Sequence, residues 1–174
     1  MLTKIIEEIE KITNIGKSPS EKQKEINVTE ASLIWDLLTT RYDTLETNKV
    51  FENWAGDSDL KIILEQGDKF ISKEIEILEN ITIEYGIPSP PRTTVNPVNI
   101  INKEVLSDKY IYRHTLGGIQ AFLPTLVYGI THTISPTIRN IFIEFLTQEI
   151  KLYSNFFEYG LLKGYLATPP AYRM

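Results

Sequence analysis

The 24 residues from Thr115 to Ile138 read TLGGIQAFLPTLVYGITHTISPTI and carry no formal charge, although 24% of the chain is Asp, Glu, Lys or Arg. A run of that length has two physical solutions. It crosses a bilayer, which takes roughly 20 mostly apolar residues, or it forms the most enclosed helix of a protein core. Gln120, Pro124, Tyr128, His132 and the threonines interrupt its apolar character. No second such run exists, and no flanking Lys/Arg cluster orients a lone span. The run is therefore read as the most buried helix of a soluble bundle, followed by the turn into the next helix, with no membrane partner.

Composition narrows the rest. A chain of 174 residues is expected to form one domain with a sizeable core. Its 18 Lys+Arg against 23 Asp+Glu give a net charge of −5, and no basic stripe is visible, so nucleic acid is not an expected partner. The absence of cysteine removes disulfides, thiolate metal sites and Cys nucleophiles, and fits a reducing compartment. The N-terminal MLTKIIEEIEKI is charged throughout and lacks the apolar centre of a signal peptide.

Periodicity divides the chain into 1–27, a short amphipathic helix plus a polar linker, and 28–174, a helical bundle with an extended tail. Leu2, Ile5, Ile6, Ile9 and Ile12 share one stripe of the first helix. A second helix is expected from an N-cap at Thr29 to about Trp54, with Ile34, Leu37, Leu38 and Leu45 inward. Ala55-Gly56-Asp57-Ser58 stops it, and a third helix follows from about 59 to 85. Gly86, Pro88, Pro90, Pro91 and Pro97 then preclude a continuous helix over 86–106. That segment is too long for a tight turn and long enough to run back along a bundle. Ser107 caps a helix over about 108–133. Ser135, with Pro136 behind it, caps the last helix, which ends at Lys163 before Gly164. Tight turn, long crossover, tight turn is the connectivity of ferritin-like bundles. The fold class is all-α: a ferritin-like four-helix bundle with an extra short N-terminal helix.

The second half carries Thr133, Pro136 and Arg139 in THTISPTIR, then Lys163-Gly164-Tyr165 with Pro169-Pro170 behind it. The first half adds Trp35, then Glu84, Gly86, Pro88 and Pro90, then Ser107-Asp108. In this order and spacing, over roughly 28 to 172, the chain resembles the spore coat protein F group and a related family of uncharacterised ferritin-like proteins of spore-forming bacteria. The resemblance implies a ferritin-like fold, a spore-coat assignment, a cytoplasmic or spore-associated location, and no known reaction. The chain departs from those relatives at Glu74, where the family often has histidine. It departs again at His132, where coat protein F has glutamate, and at Tyr153, where coat protein F has histidine.

Ferritin-like carboxylate metal sites take a Glu from each of two helices and a Glu-x-x-His pair from each of the other two. No Glu-x-x-His occurs here. The two histidines, His114 and His132, lie about 27 Å apart along one helix and cannot share a metal. Helix register instead suggests Glu65, His114, Glu149 and Tyr153 as candidate ligands for a mononuclear divalent metal, iron, manganese or zinc. Glu149 lies within the stripe Phe142, Phe145, Leu146, Leu152, Tyr153, Phe156. It is read either as a mid-bundle metal or proton-transfer group, or as a register-fixing partner of Gln120, or as a rim residue reaching solvent. A small, polar stripe runs through His114, Gly117 or Gly118, Ala121, Thr125, Tyr128 and His132. It is read as a close helix contact or as the wall of a ligand tunnel.

The primary expectation is a non-catalytic structural or assembly protein with no cofactor. It self-associates as a dimer through helix surfaces, contacts other spore-coat proteins, and uses Tyr165 and Tyr172 as exposed contact points. The alternative is a metal-binding ferritin relative with a mononuclear or degenerate site.

Overall fold

The structure is a computed structural model that describes residues 5, 8, 9, 12–92, 106–166, 169, 170 and 172. Five α-helices are given among them: α1 (Pro19–Lys22), α2 (Val28–Trp54), α3 (Ser58–Glu84), α4 (Asp108–His132) and α5 (Pro136–Lys163). The last four form an all-α bundle, as expected, but α4, which carries the uncharged run, is not its most buried helix: Gly117, Gly118, Gln120, Ala121, Val127 and Tyr128 are exposed, so the run is neutral without being enclosed. Of the N-terminal stripe, Ile5, Ile9 and Ile12 are described, and they are helical and exposed; Leu2 and Ile6 lie outside the described residues, as does the middle of the crossover with Pro97.

Local chemistry sets each helix start. The cap of α2 is Asn27 rather than Thr29. Asn27 Oδ1 accepts from the Glu30 amide at 2.9 Å, and Glu30 Oε2 accepts from the Asn27 amide at 2.7 Å. This reciprocal pair satisfies two of the amides that a helix start leaves without partners. Asp57 caps α3, Ser107 caps α4, and Ser135 caps α5 with Pro136 in its first turn. At the far end of α5, Gly164 adopts φ 66°, and its amide together with that of Tyr165 closes the helix onto the Gly160 and Leu161 carbonyls. Residues 18–27 are not a free polar linker. They fold as α1 and a 3-10 turn (Gln23–Glu25), Gln23 Nε2 donates to the Gly86 carbonyl at 2.6 Å, and Ile26 packs against the core. Gly86 is at φ 61°, a conformation that disfavours a side chain.

The helix directions follow from which ends meet. Glu30, at the start of α2, accepts at Oε1 from the amides of Ile134 and Ser135 in the α4–α5 turn, each at 2.9 Å. Asp108, at the start of α4, accepts from the amides of Gly56 and Asp57 in the α2–α3 turn, at 2.7 and 3.1 Å. Each hairpin thus captures two successive amides of the other hairpin's turn with one carboxylate. Helices α2 and α4 are therefore antiparallel, and α3 and α4 run the same way. The turn motif Thr133-Pro136-Arg139 is part of this joint. Thr133 Oγ1 donates to the Gly129 carbonyl at 2.6 Å, and Arg139 Nε and Nη2 donate to the Thr133 carbonyl at 3.1 and 2.7 Å. At the other end, Asp57 receives Lys163 at 2.8 Å and the hydroxyls of Tyr159 and Tyr165 at 3.2 and 3.1 Å. Lys163, the Asp59 amide and the Tyr165 hydroxyl hold the Asp57 carboxyl well below the usual carboxylate range.

The apolar interior has two parts. One, toward the α4–α5 turn, is built on Ile34, Leu38, Leu78, Leu126, Ile138 and Phe142. The other, toward the α2–α3 turn, is built on Leu60, Leu64, Ile111, Tyr112, Phe156 and Tyr159. Tyr165 packs against this second part, so it is not the exposed contact point expected of it; Tyr172 is exposed. Tyr112 is fully buried, stacks on Phe156 with centroids 4.8 Å apart, and its ring occupies the space above Gly160. A Cβ at Gly160 would lie inside the Tyr112 phenol. Gly160→Ala is accordingly expected to cost about 1–3 kcal/mol of stability from overpacking. In a denaturant titration, Tyr112→Leu combined with Gly160→Ala should cost less than the sum of the single changes; simple additivity would show that the ring is not what excludes the methyl group.

Candidate functional site

Three charged residues lie near the middle of three helices on otherwise apolar stripes. Arg41 follows Leu37 and Leu38 on α2, Glu74 follows Ile71 on α3, and Glu149 follows Phe145 on α5. Their exposures are 3%, 2% and 1%. Arg41 Nε lies 2.5 Å from Glu74 Oε2, and Arg41 Nη2 donates to Glu149 Oε2 at 2.6 Å. The guanidinium carbon sits 3.6 Å from the centroid of the Phe122 ring on α4, so all four bundle helices contribute. A planar, delocalised cation suits this place. It reaches two carboxylates at once and tolerates an aromatic face that a compact ammonium would meet less well.

One guanidinium serves two carboxylates, and both are short of partners. Glu74 Oε1 and Glu149 Oε1 have no hydrogen-bond donor, and Glu74 Oε2 meets only the ion-pair contact with Arg41 Nε. Burial pushes the Glu74 carboxyl up to about 8; Arg41 pulls it down, and the neighbouring Glu149 charge pushes it up again. Burial also raises Glu149, against the pull of Arg41. At neutral pH the layer therefore holds a proton as well as a guanidinium, which removes the repulsion between two carboxylates on one cation. Chemically, the layer can bind and release that proton.

A cavity of about 190 Å³ adjoins the layer, with Arg41 and Glu149 in its lining. It lies where the two apolar parts of the interior meet, with Ile71 and Phe122 from one and Phe51, Leu64 and Phe156 from the other.

The proposed metal ligands do not form one cluster, although His114 and Glu149 both line the cavity. Glu65 is exposed on α3, where its charge, after burial and Asp68, helps push the Glu52 carboxyl up to about 7. His114 is exposed on α4, edge-on to Phe51 at 5.3 Å and parallel to Tyr110 at 6.0 Å. Tyr153 is half-buried, its ring 5.8 Å from Phe157. Glu149 alone belongs to the buried layer. Among the described residues, no three of His, Asp and Glu come together as a group that could hold a metal ion. Gln120 is exposed, and the partner of Glu149 is Arg41 on another hairpin. His132 stacks on Tyr128 at 3.9 Å, with Nδ1 2.9 Å from the Tyr128 carbonyl. Sequence reasoning missed Arg41 altogether. The signal was present: Arg41 falls at helical spacing between Leu38 and Leu45, as Glu74 does between Ile71 and Leu78.

Two outcomes follow from the layer. The Glu74 carboxyl is held above its unfolded value of 4.5, so the native state binds that proton more tightly than the unfolded chain does. The stability it contributes is fully present below the unfolded value and is lost as pH rises through about 8. Urea titrations between about pH 5 and pH 8 should show stability falling with pH, and Glu74→Gln should flatten that slope; an unchanged slope would place the proton elsewhere. Arg41→Met leaves two carboxylates without their cation and should cost about 3–5 kcal/mol at pH 8, and visibly less at pH 5, where carboxyls raised by burial take up protons more readily. An equal cost at both pH values would mean that packing, not charge, makes Arg41 necessary.

The fold is shared with known structures. The crystal structure of a "putative spore coat protein" from Bacillus halodurans C-125 superposes with a TM-score of 0.80 at 21% identity, covering 86% of this chain and 96% of that one. A conserved hypothetical protein from Mycobacterium tuberculosis superposes with a TM-score of 0.63 at 10% identity, covering 76% of this chain and 98% of that one. No protein of curated function matches the sequence. No helix among the described residues is long and apolar enough to cross a membrane. A family model matches residues 14–174, and by that match the chain belongs to the family described as Protein of unknown function (DUF3231).

Proposed function

We propose that this protein is a non-catalytic structural or assembly protein of spore-forming bacteria, built on a ferritin-like scaffold and self-associating through its helix surfaces. The observation that carries the reading is the place of Arg41. Ferritin-like oxidases gather inward carboxylates and histidines around metal ions at mid-bundle. Here the inward carboxylates Glu74 and Glu149 are gathered around a side-chain cation. A guanidinium supplies the positive charge without an open coordination position or a redox couple. Support for assembly comes from the outside of the hairpin formed by α4 and α5, where Val127, Tyr128, Ile143 and Ile150 are 41–51% exposed. From Thr115 to His132, α4 carries no Asp, Glu, Lys or Arg, so two copies could meet there without opposing like charges. Spore association rests on the kinship of fold with the B. halodurans protein.

The metal-binding alternative, through Glu65, His114, Glu149 and Tyr153, is separated by one preparation measured two ways. The untagged protein is exposed to iron, manganese and zinc, desalted, and analysed for metal content and for mass by light scattering. Metal far below one per chain, with a mass of two copies or more, is the expected result. Near-stoichiometric metal that is lost in Glu149→Ala or His114→Ala would favour the alternative. A strictly monomeric mass at about 100 μM would remove the assembly reading, since stable interfaces of standard size bind well below that concentration.

A further inference from the structure

The assembly role proposed above makes no use of the cavity beside the ionic layer. Its 190 Å³ exceeds the roughly 150 Å³ in which an apolar engineered cavity takes up benzene. The exposed lining residues Asp43, His114 and Gly118 mark its open side, between α2 and α4. Phe51, Leu64, Ile119 and Phe156 give it an apolar wall.

The polar groups of the lining share one character. The hydroxyls of Thr40, Thr44, Thr47 and Thr115 each donate to the carbonyl four residues earlier, at 2.7–3.0 Å, which leaves them lone pairs to offer. The Asn48 amide nitrogen donates to Asp68 at 2.8 Å, leaving its carbonyl oxygen. Glu149 Oε1, on a side chain 1% exposed, is a buried acceptor with no donor. Arg41 is engaged by two carboxylates and lies on the face of Phe122. In formal charge the lining sets one guanidinium against the carboxylates of Asp43 and Glu149. An apolar anion entering here would meet carboxylates already competing for the single cation. A neutral molecule would leave the charge excess unanswered.

We infer that this cavity binds a small organic cation: a primary ammonium on an apolar body of about benzyl size. The ring packs against Phe51, Leu64, Ile119 and Phe156, and the ammonium donates to the threonine and Asn48 oxygens of α2, beside the Glu149 carboxylate. The apolar wall supplies affinity through burial, and the acceptor-rich, net-negative lining supplies the choice of head group.

Calorimetric titration of the full chain with benzylamine, benzyl alcohol and benzoate tests this. Benzylamine should bind at one site at least about tenfold more tightly than the alcohol, and benzoate should give no saturable heat. Gly118→Leu fills the cavity from α4 at a position where a Cβ meets nothing within 4 Å, and it leaves the ionic layer intact. It should abolish amine binding. Glu149→Gln should erase the preference for amine over alcohol; because it also disturbs the layer, Gly118→Leu decides the location. The inference is overturned if benzoate or the alcohol binds as tightly as the amine, if amine binding survives Gly118→Leu, or if none of the three binds at up to about 10 mM.

Discussion

A guanidinium buried between two carboxylates is the constraint around which this bundle is arranged. Arg41 draws one partner from its own hairpin, Glu74, and one from the other, Glu149, so it ties the hairpins together at mid-height. Such a layer is a weak source of net stability, because removing three charged groups from water offsets most of their attraction. Its effect is on specificity. An apolar layer would accept several helix rotations, whereas the fork of an arginine accepts few. The layer also divides the core: Leu38, Leu78 and Phe142 lie on one side, and Leu64, Tyr112 and Phe156 on the other. The cavity occurs at that division, where aromatic and aliphatic side chains would have to cover charged atoms to close it.

The helices were largely legible in the sequence. Their ends carry strong local chemistry: Ser107, Ser135-Pro136 and Gly164 act where their types predict, while α3 is capped by Asp57, one residue earlier than the expected start near 59 implies. The shift of the α2 cap from Thr29 to Asn27 has a clear cause. Glu30 is the third helical residue after Asn27, and that spacing permits the reciprocal bond. The site was legible only in part. Glu149 could be recognised as a buried acid because it interrupts a single apolar stripe. Its partner could not be found by register within the α4–α5 hairpin, since Arg41 stands 108 residues away on α2. A charge on an apolar stripe is interpretable only with the matching charges on other helices. Arg41, Glu74 and Glu149 together make a nearly neutral set once one proton is counted, and singly each reads as an anomaly.

The residues that carry the family resemblance turn out to be architectural. Thr133, Pro136 and Arg139 build the α4–α5 turn, Gly86 seats the N-terminal segment, and Lys163 and Tyr165 close the opposite end on Asp57. Their order follows the order of the joints in the bundle.

The exchange of carboxylates between hairpins has a consequence for how the molecule can move. Glu30 holds the amides of Ile134 and Ser135, and Asp108 holds those of Gly56 and Asp57, at opposite ends of the bundle. Sliding one hairpin along the other by a single helical turn, about 5.4 Å, would strain both grips together, since neither end can shift while the other stays anchored. Axial shear, one of the common routes by which packed helices rearrange, is thereby blocked.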